Sequence, residues 1–140
     1  PYQAALARVF GDQTLVCSTY DSALRAAKAG APTWMYNFDI PANMGGLGAT
    51  HGSELVYVFG TSPNLSDPQK RASERIQAYW TNLAKQADPN GADLPKWPKF
   101  SAEQDVRLNL GLEFEVVEKF RTSECELWRS LYDASYNANK

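Results

Sequence analysis

The spacing of apolar positions changes several times along the chain, and each change predicts an element. Residues 18–29 are dominated by alanine and leucine. Ser18 or Thr19 is placed to cap this run and Gly30 to stop it, which predicts a helix. Ala31-Pro32 then leads into the aromatic-rich residues 33–38, a buried strand. Residues 39–50 carry Pro41 and repeated glycines and read as loop. Residues 54–59 fit either a strand or a helix, and periodicity does not decide between them. Ser66-Asp67-Pro68-Gln69 is a helix start: a capping residue, proline in the first turn, and glutamine three after the serine. Ala72, Ile76, Tyr79/Trp80, Leu83 and Ala87 continue it at helical spacing, and Asp88-Pro89-Asn90-Gly91 ends it. Trp80, lying on that stripe, reads as core packing and not as a ligand stacker. Residues 105–110 alternate enough for a short edge strand. Residues 114–132 predict a second amphipathic helix with Val117, Phe120, Leu127/Trp128 and Leu131 on one side, and the tail from Asp133 frays. There are no repeats or low-complexity segments. Only two strand candidates emerge, and two strands alone make a marginal sheet.

Length permits one domain with a core, and an apolar content of 44% with 12% aromatics is that of a globular chain. A net charge of −2 argues against a nucleic-acid partner, because phosphate binding rests on clustered lysine and arginine. Here the basic residues are dispersed, with no run longer than Lys70-Arg71. No stretch approaches the roughly 20 apolar residues of a transmembrane segment. Cys17 and Cys125 stand far apart, and the residues alone leave open two buried thiols or a bridge. Asn64-Leu65-Ser66 is an acceptor sequon for N-glycosylation, a triplet that also arises often by accident.

The chemistry concentrates at His51, the one histidine of the chain, within Gly48-Ala49-Thr50-His51-Gly52-Ser53-Glu54. Glycines on both sides allow positive φ and place an imidazole at a loop tip. Histidine is also the side chain best matched to moving protons near neutral pH. A surface histidine in a flexible loop is the plain alternative. A metal site is not expected, since a lone histidine without Cys or His at ligand spacing cannot build a zinc centre, and no cofactor is implied.

The order His51-Gly52-Ser53-Glu54-Leu55-Val56-Tyr57-Val58-Phe59-Gly60 resembles the histidine segment of the type-B carboxylesterase and cholinesterase family. The resemblance extends over most of the chain. Gly11-Asp12-Gln13-Thr14-Leu15-Val16-Cys17 is similar to the family's Asp-to-Cys segment, and Thr33-Trp34-Met35-Tyr36-Asn37-Phe38-Asp39 to its Tyr-x-Phe strand. Tyr79-Trp80-Thr81-Asn82-Leu83-Ala84-Lys85, Asp88-Pro89-Asn90 and Lys96-Trp97-Pro98-Lys99-Phe100 follow its tryptophan and Asp-Pro-Asn segment. Arg121 to Trp128 resembles its terminal Arg-to-Trp helix. Leu83 stands where Phe is usual, and Gln86-Ala87 where the pattern has Thr-Gly.

The resemblance implies an α/β-hydrolase fold, of which residues 1–140 form the C-terminal portion of a single catalytic domain. It also implies a short helix after the histidine loop. The triad order in this fold is nucleophile, acid, histidine, and no Gly-x-Ser-x-Gly occurs here. The expected partner is therefore the N-terminal remainder of the same enzyme, carrying the nucleophile Ser and the acid, with this chain a fragment or one half of a nicked enzyme. His51 is expected as general base. Gly52 would permit its turn, and Glu54 would orient the loop without being the triad acid. A Cys17–Cys125 disulfide is implied, with a structural ion pair between Asp12 and Arg121 close by. A stable disulfide with a glycan on Asn64 would place the protein outside the cell.

The function implied is a serine carboxylic ester hydrolase, carboxylesterase or lipase-like, acting on a small-molecule or lipid ester. A non-catalytic cholinesterase-like adhesion module is the alternative. Members that bind quaternary ammonium carry aromatics at the positions held here by Asn43 and Ser53, so cholinesterase specificity is not expected.

Overall fold

The computed structural model describes residues 2–42 and 47–138. Helix α1 (Tyr2–Gly11) runs through a π-helical turn (Asp12–Val16) into α2 (Cys17–Lys28). Strand β1 (Tyr36–Phe38), the short α3 (Leu55–Val58), the long α4 (Asp67–Gln86), β2 (Val106–Leu110), β3 (Phe114–Glu118) and α5 (Thr122–Ala138) follow. The chain divides into two compact units. One comprises residues 1–33, 100–106 and 118–140, the other residues 34–99 and 107–117.

The second unit holds a three-stranded sheet in the order β1-β2-β3. β1 and β2 are parallel, with Tyr36 opposite Leu108 and Phe38 opposite Leu110. Residues 111–113 are too short a link for a parallel crossover, so β2 and β3 form a hairpin. The sheet corrects two expectations. β2 is the middle strand, not an edge: Arg107, Leu108, Asn109 and Leu110 are all buried. Its polar side chains hid this in the sequence, but Asn109 accepts from Asn37 Nδ2 at 2.7 Å and donates to Asp39 at 3.4 Å. The helix expected over residues 114–132 is instead β3 followed by α5, which starts only at Thr122. Phe114, Val116 and Val117 favour extended backbone, and the strand they form is hydrogen-bonded to β2. Lys119 and Arg121, at φ of 51° and 58°, then interrupt the path before α5.

The core of this unit gathers Ile40, Tyr57, Ala72, Ile76, Tyr79, Trp97, Leu108 and Leu110. The Tyr79 and Trp97 rings meet edge-to-face, 5.2 Å between centroids. Tyr79 donates its hydroxyl to the Pro95 carbonyl at 2.5 Å, and burial pushes its pKa up to about 12. Trp80 packs half-buried against Tyr36 and Trp97 as expected. α4 begins where its cap predicts, with Gln69 Oε1 accepting from the Ser66 N–H at 2.9 Å. Its buried stripe ends early, at Tyr79; Leu83 is 43% exposed, and Ala87 has left the helix as its C-cap. β1 is shorter than the expected strand. Residues 33–35 lead into it, with Met35 O accepting from Leu108 N–H at 3.0 Å and from the Trp97 indole at 2.8 Å.

In the first unit, Tyr20 packs edge-to-face on Phe100 at 5.9 Å and Ala23 lies beside it in the buried face of α2. Arg129 on α5 pairs with Asp21 and lies over the Tyr20 ring, contacts that raise its pKa chiefly through the Asp21 hydrogen bond. Leu127 and Leu131, expected on the packing side of the last helix, are 59% and 51% exposed. No helix among the described residues is long and apolar enough to cross a membrane.

Candidate active site

His51 lies exposed at a turn between the loop that leaves β1 and the start of α3. In that loop the Ala42 N–H donates to Gly48 O at 3.1 Å. Asn43 and the glycine pair at 45–46 lie outside the described residues. Thr50 and Ser53 form the two ends of the turn. The Ser53 N–H donates to Thr50 O at 3.0 Å, and the Ser53 hydroxyl donates to the same carbonyl at 2.6 Å. Ser53 Oγ in turn accepts from the Thr50 N–H at 3.2 Å. His51 and Gly52 are the two central residues of this clasp. Gly52 has φ +81°, the sign that a type II turn requires at its third position.

The turn feeds directly into α3. Leu55 N–H donates to Gly52 O at 3.2 Å, and the Glu54 carbonyl accepts from the amides of Tyr57 and Val58 at 2.9 and 3.0 Å. α3 is the short helix that the resemblance implied, and Tyr57 anchors it. Its carbonyl accepts from buried Ser73 on α4 at 2.7 Å, and its hydroxyl accepts from Gln69 at 3.0 Å. The Tyr57 ring also lies 5.2 Å from that of Phe38 on β1. A solvent-facing imidazole is thus carried on a turn whose far end is fixed to the core.

Glu54 sits half-buried at the N-cap of α3. Its carboxylate is close enough to Tyr36 to help hold that hydroxyl protonated, after the larger effect of burial on the ring. A side chain that closes the histidine turn is that of Ser53. In the sequence Ser53 stands out only as an absent aromatic. The available signal was a hydroxyl residue three after Thr50, the spacing of a side-chain-closed turn.

The remaining expected residues fall in two places. Asn64 is exposed in the turn before α4, and the hydroxyl residue of its sequon, Ser66, caps that helix. Cys17 and Cys125 are bonded, with Cα atoms 4.9 Å apart, within the limit of about 7 Å for a bridge. Both are buried. Beside them Arg121 forms an ion pair with the buried Asp12 and a second, looser one with Glu124 at 3.7 Å. The π-helical turn that opens at Asp12 ends against Cys17, whose N–H donates to the Asp12 carbonyl. Among the described residues no group of three or more His, Cys, Asp or Glu could hold a metal.

Comparison with known proteins agrees with the motif reading. The model of the Carboxylesterase family matches residues 1–128. The chain is 32% identical over 130 residues to carboxylesterase 4A of Bos taurus, covering 86% of this chain and 23% of that protein. It is 33% identical over 113 residues to carboxylesterase 1D of Rattus norvegicus, 74% of this chain and 20% of that one. Carboxylesterase 5A of Canis lupus familiaris matches at 30% over 135 residues, 86% and 23% respectively. The chain therefore spans about a fifth of the length of the curated relatives it matches.

Proposed function

Because this chain belongs to the carboxylesterase family, an assignment that implies an α/β-hydrolase, we propose that it forms part of a carboxylic ester hydrolase and supplies the catalytic base, His51. The nucleophilic serine and the acid would come from the part of the enzyme that precedes this segment in the fold's triad order. One imidazole nitrogen accepts the serine proton as Oγ attacks the ester carbonyl. The imidazolium then protonates the departing alcohol, and the same nitrogen takes a proton from the water that releases the acid. The other nitrogen donates to the carboxylate. The observation that carries this reading is an exposed imidazole on a glycine-permitted turn, pinned through Tyr57 to the core.

In the full-length enzyme, His51→Ala and His51→Gln are each expected to lower turnover of a p-nitrophenyl ester by several orders of magnitude, about the scale of losing a triad member. Near-normal turnover in either variant would remove His51 from the mechanism. A full-length protein with His51 intact and no ester turnover would instead be the non-catalytic adhesion module. The ester is a small-molecule or lipid one. Ser53 occupies a position where quaternary-ammonium binders carry an aromatic, so a cationic choline-type substrate lacks that wall.

Local geometry supports roles for the other residues. Gly52 permits the turn, and Glu54 shapes the start of α3 behind it. The Cys17–Cys125 bridge and the Asp12–Arg121 pair hold α5 to the helical segment that carries Asp12 and Cys17. A disulfide of this kind forms in oxidising compartments, which favours a secreted protein glycosylated at Asn64. A glycosidase-sensitive mass increment that disappears in Asn64→Gln is the expected result on secreted material; an unmodified Asn64 would remove the glycan from the reading.

A further inference from the structure

We infer that Ser53 is a positioning residue for catalysis: its hydroxyl locks the turn that aims His51. This rests on His51 being the base, and goes beyond it by naming what sets the imidazole's direction. The hydroxyl of Ser53 makes two bonds to one residue, donating to Thr50 O at 2.6 Å and accepting from Thr50 N–H at 3.2 Å. With the backbone bond from Ser53 N–H to Thr50 O at 3.0 Å, three links join the residues on either side of His51-Gly52. A turn held by the backbone bond alone would let its central peptide rock, since Gly52 has no side chain to resist. A Cβ built there meets nothing closer than Leu55 Cδ1 at 3.9 Å. His51 itself is exposed, and the Tyr57 anchor lies beyond the turn, on α3. The clasp is therefore the local device that holds its backbone, and a general base works only within hydrogen-bond reach of the proton it takes. Displacement on the scale of 1 Å costs about a hundredfold in the worst cases.

The experiment uses the full-length enzyme and a p-nitrophenyl ester, with fluorophosphonate labelling as a second reading of base-assisted attack. Ser53→Ala is expected to lower kcat about tenfold while KM stays within about twofold, the pattern of an interaction that matters in the transition state. The labelling rate should fall in the same proportion. Ser53→Thr keeps the hydroxyl and is expected to return kcat to within about threefold of the parent, with the melting temperature of S53A within about 2 °C of it, as for a partly exposed turn residue. An unchanged kcat in S53A, a loss confined to KM, an equal loss in S53A and S53T, or a melting temperature that falls in step with activity would each overturn the assignment. Failure of the underlying reading looks different. If His51→Ala retains turnover, the base is wrong and the Ser53 role goes with it; if His51→Ala is inactive and S53A is undiminished, the Ser53 role alone fails.

Discussion

At the scale of single residues, the histidine turn shows which chemistry a side-chain list reveals and which it hides. His51 stands out because it is unique and flanked by a glycine, and Gly52 because a loop-borne histidine needs a residue that takes positive φ. Both facts survive without any knowledge of the fold. Ser53 does not, because a serine acquires its role only when the backbone brings its hydroxyl to Thr50. The same limit applied to Asp12, whose burial depends on a π-helical turn that no residue pattern announced. The glycine makes a sharp prediction. Since a Cβ at position 52 meets no close neighbour, Gly52→Ala should act through φ alone, costing about 1–2 kcal/mol for an L-residue held in the left-handed region. Denaturant unfolding of the full-length protein would measure that loss. Turnover should fall by more than the stability change explains, because relief of the strain rotates His51. A variant as stable and as active as the parent would show that the turn tolerates a side chain and that its geometry is not set by Gly52.

Elements with chemical punctuation were legible, and those whose type is decided by neighbours were not. α4 was readable from Ser66, Pro68 and Gln69 before any packing was considered, and the cap is formed as the residues require. β3 was not, because Phe114, Val116 and Val117 satisfy a helical spacing as well as a strand, and only the hydrogen-bonding edge of β2 settles the matter. Burial of β2 was concealed for a related reason: Arg107 and Asn109 look like a solvent face, yet both are buried. The end of α4 carries an element-scale prediction. Ala87 closes the helix in the left-handed conformation at φ 55°, donating to Leu83 O at 2.9 Å, at the position where the family pattern has glycine. An alanine there bears a steric cost that glycine avoids, partly offset by the greater unfolded-state entropy of glycine. Ala87→Gly is therefore expected to stabilise the protein by about 0.5–1 kcal/mol, read as a raised denaturation midpoint with an unchanged denaturant slope. A lowered midpoint would mean that the C-cap is not limiting and that chain entropy dominates.

For the whole molecule, composition gave only a globular chain; the α/β-hydrolase assignment came from motif order, and a sheet of three strands would not have supplied it. The disulfide was likewise implied by family position, since nothing in the separation of Cys17 and Cys125 foretells that their Cα atoms lie 4.9 Å apart. The bridge closes a loop spanning 108 positions, and a loop of about 100 residues is worth on the order of 4–5 kcal/mol in the chain-entropy treatment, less whatever the native state loses to strain. The Asp12–Arg121 pair adds to the same junction. With Asp12 buried, removing Arg121 takes away the counter-ion of a buried carboxylate, whereas removing Asp12 leaves Arg121 its looser pair with Glu124. Cys17 and Cys125 belong to one compact unit and His51 to the other, so stability and chemistry should separate. The double variant Cys17→Ser/Cys125→Ser in the full-length enzyme is expected to lose several kcal/mol in denaturant unfolding while its kcat, measured well below its melting temperature, stays within about twofold of the parent. Peptide mapping without reductant supplies the control: the parent must yield one Cys17–Cys125 cross-linked pair. Two free thiols in the parent, or a double variant as stable as the parent, would show that the junction is held by packing and the ion pairs and not by the bond.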